Sequence, residues 1–306
     1  MNVTELEKLA QRLSNWGRWG ADDEAGTLNH ITPDVVAAAA RSVEHGHVEQ
    51  LGIPLDTAGP QVDSRLRFNP RHRMTALPAE FVRADGTGIA DDVLELPLQA
   101  GTQWDALAHI AYRGLLYGGR PATVVTADGA PVNAITAAAD RVVSRGVLAD
   151  IARHRGVDVL DSARPITRAE LTEALDASGV RVRRGDVLLV RTGHLGACRE
   201  RGWAGFSGPS PGLGIDTLAW IHESEIAAVA SDTSFVEVRP STVAGIRAPF
   251  HVVAIVYLGL LLGEMFDLDG LGAACARLRR WEFLFVAPPL RVTGAVGSPI
   301  NPYAIL

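Results

Sequence analysis

Between Leu98 and His109 the chain reads LQAGTQWDALAH, so Gln99, Gln103, Asp105 and His109 fall in one short stretch around Trp104. Gln103 and Asp105 are two positions apart, and an extended strand would send both side chains to the same side. Asp105 and His109 are four apart, so one turn of helix would set them on a common face. A strand end running into a turn would therefore gather all four polar groups at one pocket. A carboxylate beside an imidazole is the pairing that proton transfer at neutral pH uses. The same spacing also fits the polar face of an ordinary helix with a hydrogen-bonded core histidine, and both readings stay open on the residues alone.

A second pair poses the same question. His251 and Glu264 bracket the longest apolar run, Val252 to Gly263, which is too short to span a bilayer and is expected to be a buried element. A carboxylate at the end of such a segment is costly to bury unless it is paired or coordinates a metal. The alternative is a satisfied core histidine and a solvated helix end. GPSPG at 208–212 matches the nucleophile-elbow pattern G-x-S-x-G, but the prolines flanking Ser210 disfavour the required strand-turn-helix. A proline-rich loop is expected there.

The elements that must position these residues follow from periodicity and punctuation. Leu6, Leu9 and Leu13 recur at helical spacing, so 4–16 reads as a surface helix. Thr32-Pro33 reads as an N-cap followed by proline at the first helical position, and Thr167 with Glu170 reads as a capping box for a helix ending near Gly179. Residues 51–90 are rich in Pro, Gly, Arg and Asp and are expected to form long loops and short strands. GDVLLVRTG, EIAAVASD and FLFVAPPL (283–290) read as strands, the last stopped by its prolines, and IDTLAWIHES reads as a helix. With no repeat and no linker, a single mixed α/β domain over 1–306 is expected, with an N-terminal helical arm of about 1–45.

Composition narrows the function classes. A net charge of −6 spread along 306 residues, without a long basic run, argues against nucleic acid or anionic membrane as partner and leaves a small molecule. The two cysteines, Cys198 and Cys275, form no CxxC, which excludes a cysteine-built zinc site and points to a reducing, cytoplasmic setting. The start MNVTELEKLAQRL is charged and amphipathic without an apolar core, so it is not expected to act as a signal peptide. Lys8 is the only lysine, so Schiff-base chemistry is not expected.

With these residues in view, the chain resembles the cyclase or kynurenine-formamidase-like family of hydrolases, which includes isatin hydrolase. The family signature H-x-G-T-H-x-D-x-P-x-H stands here as Q-A-G-T-Q-W-D-A-L-A-H. WGADDEAGTLNHIT, VLLVRTG, PSPGL, ASDTSFVE, the His251 to Glu264 segment and GSPINPYAIL look like further landmarks. The resemblance implies a swivelling β/β/α cyclase-like single domain, assembled as a homodimer or homotetramer. It also implies a divalent metal serving hydrolysis of an amide or lactone. By position the implied ligands are Gln99, Gln103, Asp105, His251 and Glu264, with His109 as acid–base residue and Asp232 as a supporting group. Two signature histidines are glutamine here, and the signature proline is Leu107. Amide oxygens are harder and weaker donors than imidazole, so one manganese or magnesium ion is expected rather than zinc or a metal pair. The alternatives are a metal-free cyclase or dehydratase using Asp105 and His109, with Gln99 and Gln103 as donors to substrate, and a non-catalytic binding protein. Trp104 is expected to offer substrate a flat apolar wall.

Overall fold

The computed structural model describes residues 1–62 and 64–306. In chain order the first strands are β1 (Val48–Gln50), β2 (Arg71–Ala76), β3 (Asp91–Glu95), β4 (Gln103–Asp105), β5 (Val143–Asp150), β6 (Pro165–Ile166) and β7 (Val187–Arg191). They continue as β8 (Gly212–Leu213), β9 (Ala228–Ser231), β10 (Leu261–Glu264), β11 (Glu282–Val286), β12 (Gly297–Pro299) and β13 (Tyr303–Ile305). One nine-stranded sheet runs β1-β13-β11-β5-β7-β9-β10-β4-β12, while β2-β3 and β6-β8 form separate pairs. The centre, β5 to β10, is parallel and the flanks are antiparallel. VLLV and the AVA of AVAS are apolar on consecutive positions because a parallel strand covered on both faces has no polar side to show.

Alternation divides the core between the two faces. Leu188, Val190 and Leu262 pack into one cluster with Leu6, Phe250 and Ile255. Val187, Leu189 and Trp104 enter the other with Phe266, Phe283 and Phe285.

The expected helices form, with informative differences at their ends. The first covers Val3–Arg12 and stops short of residue 16, with Asn2 and Glu5 making a capping box. The residues after it bond to another element: Asn15 N and Nδ2 donate to Tyr257 O and Leu258 O, and Trp16 Nε1 donates to Val256 O. Those carbonyls end a π-helix, Val252–Leu258, whose wide turns leave acceptors to be satisfied from outside. Thr32 caps Pro33–Arg41 as expected. Thr167 accepts from Glu170 N at the start of Arg168–Ala177, but the Glu170 carboxylate pairs with Arg155, so the capping box is only half made.

The apolar run between His251 and Glu264 is thus buried and is not a plain helix. It is a π-helix, a left-handed Gly259 (φ 68°) and then strand β10. Gly259 O accepts from Thr27 N at 2.9 Å, and a side chain at Gly26 would place its Cβ 2.0 Å from that oxygen. Only glycine allows the early GTLNHIT segment to lie so close. Cys198 and Cys275 are buried and unpaired. No helix among the described residues is long and apolar enough to cross a membrane.

Candidate active site

Strand pairing builds the site. In the β4–β10 register Gln103 faces Glu264, and Asp105 faces Leu262. Gln103, Asp105 and Glu264 therefore share one face of the sheet, and Trp104 between them must take the other. Gln103 Nε2 donates to Glu264 Oε2 at 2.9 Å and to Asp105 Oδ1 at 3.3 Å. His251, at the helix turn before the π-helix, brings Nε2 to 3.3 Å from Glu264 Oε1. One ligand atom from each of Asp105, His251 and Glu264 lies within 4.8 Å of the others, and all three residues are buried. Positions separated by more than half the chain thus meet on one face of the sheet.

His109 joins from the turn after β4, where its N–H donates to Ala106 O. The chain between Asp105 and His109 is a strand end and a turn, not a helix. His109 Nε2 sits 3.7 Å from Asp105 Oδ1, near enough for charge coupling and too far for a hydrogen bond. Its side chain is 20% exposed, so it can meet a ligand from outside the buried cluster.

Glu237 is a further member that the sequence reading passed over in favour of Asp232. His251 Nδ1 lies 2.6 Å from Glu237 Oε1, and the backbone N–H groups of Phe250 and His251 donate to the same carboxylate. A carboxylate on Nδ1 fixes the ring and leaves Nε2 facing the cluster. Glu237 is held by the PSPGL segment. Ser210 and Arg239 exchange backbone hydrogen bonds, and Leu213 N donates to Val236 O. At Gly212 a Cβ would sit 2.3 Å from Glu237 C, so glycine permits this approach. GPSPG accordingly forms an extended partner of 236–239, with no nucleophile elbow. Asp232 instead accepts from Thr192 N, Thr192 Oγ1 and Gly193 N. Burial pushes its carboxyl up to about 6 against those donors.

Two expected ligand-contact residues make no bond within the cluster. Trp104 is 0% exposed, packs near Phe266 and Phe285 and donates Nε1 to Ala287 O, so it is core and offers no wall to a substrate. The alternation that brings Gln103 and Asp105 together excludes it. Gln99 makes no side-chain bond to the cluster; its buried Nε2 has no partner and lies against Gly297.

The charges indicate what the cluster can hold. Asp105, Glu237 and Glu264 are buried around a single imidazole. Burial alone would lower His251, but the bonds to Glu237 and Glu264 outweigh it and hold the ring at about 10. Burial and then the Asp105 charge raise Glu264. Two carboxylates crowded without enough positive charge are destabilised, and a cation offsets that. Gln103 Oε1 is buried without a donor. Turning that amide by half would present an oxygen to the same place. Asp105, Glu264, His251 and the Gln103 amide fit a hard divalent ion better than a thiophilic one.

A cavity of about 480 Å³ adjoins the cluster, lined among others by Phe235, Met265, Arg67 and Arg239. Phe235 lies with its ring centroid 4.8 Å from that of His251, and Met265 follows Glu264 in the chain. Another recess, of about 690 Å³, is lined by His154, Arg164 and Glu173 and shares no residue with the cluster.

This buried carboxylate–imidazole centre on a mixed α/β sheet agrees with what comparison finds. The profile of the family described as "Putative cyclase" matches residues 25–238. A solved structure described as a "novel cyclase" is 38% identical with a TM-score of 0.88, covering 96% of this chain and 100% of its own. The chain belongs to the cyclase family.

More distant solved structures share the fold. Isatin hydrolase A from Ralstonia solanacearum is 19% identical with TM-score 0.65, covering 89% of this chain and 97% of its own. A predicted metal-dependent hydrolase from Bacillus stearothermophilus is 14% identical with TM-score 0.50, over 84% and 97%. No curated protein matches the chain. The matched family span contains Gln103, Asp105, His109 and Glu237 and ends before His251 and Glu264.

Proposed function

We propose that the chain hydrolyses an amide or lactone bond in a small aromatic or polyketide-like compound, using one divalent ion held by Asp105, His251 and Glu264 with help from Gln103. The observation that carries this reading is the buried, carboxylate-rich cluster, whose ligand atoms converge within 4.8 Å. An ion bound there supplies positive charge that polarises a carbonyl and makes water more acidic, and an oxygen-rich donor set favours manganese or magnesium over zinc.

The chain's own groups do the rest. His109, partly exposed beside the buried Asp105, takes a proton from the attacking water and returns it to the leaving nitrogen or oxygen. Asp105 Oδ1 steadies the imidazolium formed in between. Glu237 orients His251, and the Gln103 amide, turned by half, would set its oxygen beside the Asp105 and Glu264 carboxylates as a further donor to the ion.

The direct test is hydrolysis of a panel of aryl formamides and aryl lactones. Chelation should abolish turnover and manganese should restore it. His109→Ala should lower kcat by about 10²–10⁴-fold. Full activity in rigorously metal-stripped protein would overturn the metal reading.

That result would favour the second reading, a metal-free cyclisation or dehydration by Asp105 and His109. It draws support from one observation: Gln103 turns an amide donor toward both carboxylates where the family signature has histidine. Under it, Gln103→His raises metal affinity without improving the native reaction.

A further inference from the structure

The cavity beside the cluster is unusual in its charge. Arg65, Arg67, Arg239 and Arg247 all line it, and no carboxylate does among the described residues. None of the four makes an ion pair there with a described carboxylate. Among the described residues, Arg67 donates to one backbone carbonyl, Gln99 O, at 3.2 Å. Arg239 is half-buried, and its guanidinium carbon stands 4.6 Å from the centroid of the Phe235 ring. Phe235 in turn lies against His251. One aromatic ring therefore separates the arginine charge from the reaction centre.

Arg67 and Arg239 are partly buried while Arg65 and Arg247 are exposed; a partly buried guanidinium without an anion among the described residues is costly, and the planar fork of arginine matches a carboxylate. Arg239 forms no ion pair with Glu237 or Glu264; it and Arg67 feel the cluster's acids only as charges at a distance, which leaves their donors free for an incoming anion. We infer that the cavity is a carboxylate seat: the enzyme takes acyl substrates carrying a carboxylate about one ring away from the scissile carbonyl, held by Arg239 with Arg67 and Arg247 while the flat part packs on Phe235. The selection for charge rests on the hydrolase reading for its chemistry, but the seat itself is a binding property.

Two measurements separate the seat from the reaction. Calorimetric titration compares benzoate with benzamide, which are close in shape and differ in charge. Wild-type protein should bind benzoate at least about tenfold more tightly, the effect of one charge-assisted arginine–carboxylate contact. Arg239→Gln should erase most of that preference, and Arg239→Lys should recover part of it. Should Arg239→Gln fail to fold, Arg67→Gln provides the same comparison with a smaller loss.

Turnover then compares 4-formamidobenzoate with formanilide. The carboxylate compound should have the higher kcat/KM, expressed mainly in KM, and Arg239→Gln should bring the ratio toward one. Equal binding of benzoate and benzamide by wild type, or a preference untouched in both arginine variants, overturns the seat even if both formamides are hydrolysed. A benzoate preference that depends on Arg239, with neither formamide hydrolysed, keeps the seat and counts against hydrolysis.

Discussion

At the scale of single residues, the part of the site with the least obvious role is Glu237. It touches no substrate space directly, yet it accepts two backbone N–H bonds and the His251 ring. Removing such a carboxylate usually weakens a metal site by about 10–100-fold. Glu237→Gln keeps the shape and loses the charge, so it should lower manganese affinity in that range while the far-ultraviolet spectrum is unchanged. Unaltered affinity would make Glu237 a purely structural residue.

Apolar runs marked Asp105, His109, His251 and Glu264 as polar groups in need of a partner, but only the family resemblance joined them into one candidate site. Glu237 carries the same signal, a carboxylate inside FVEV between two buried valines, but Asp232 nearby in ASDTSFVE carries it equally, and sequence alone does not separate the two. Trp104 was misplaced for a physical reason. A strand that points Gln103 and Asp105 at the site must bury the residue between them.

At the scale of elements, the site depends on how the N-terminal segment closes the π-helix. That segment also carries His30, which is 1% exposed and lies edge-on to Trp19, with Nδ1 unpartnered. Burial lowers its pKa to about 4, the attraction of Glu225 being too weak to compensate. Between that value and the ordinary 6.5 the unfolded chain binds a proton that the folded chain refuses, so stability falls as pH drops through this window and is unaffected above it.

The loss attributable to His30 is at most about 3 kcal/mol by pH 4. Urea unfolding at pH 7.5 and pH 4.5 should show a smaller acid loss in His30→Gln than in wild type, whatever the variant's stability at pH 7.5. Identical acid losses would contradict this account.

The strands and most helices could be read from apolar runs and caps, whereas the π-helix could not. A helix-like run of VVAIVYL does not reveal that its last carbonyls are bonded by Asn15 and Trp16, more than two hundred residues earlier in the chain.

At the scale of the whole molecule, the β2–β3 ribbon stands apart from the main sheet. Nearly every residue in its two strands is exposed, and Met74, Phe81 and Val82 nearby are 45%, 58% and 58% exposed. A two-stranded ribbon is marginal by itself in water. The homodimer or homotetramer that the family likeness implies would cover it. Light scattering should then show an assembly larger than 32.6 kDa, and Phe81→Glu with Val82→Glu should shift it toward the monomer. A monomeric wild-type chain would contradict that assembly.

Sequence could suggest an oligomer only through resemblance, since apolar residues in a Pro- and Gly-rich stretch do not announce whether a neighbour covers them. Fold class was more accessible, because parallel strands buried on both faces leave a continuous apolar imprint.

Metal-assisted hydrolysis requires Asp105, His251 and Glu264 to act as one cation site, and titrating manganese into chelator-stripped protein tests that directly. The wild-type chain should take up close to one equivalent per chain, and Asp105→Ala should bind at least about tenfold more weakly. Absence of saturable uptake, or uptake equal in the two proteins, would contradict it.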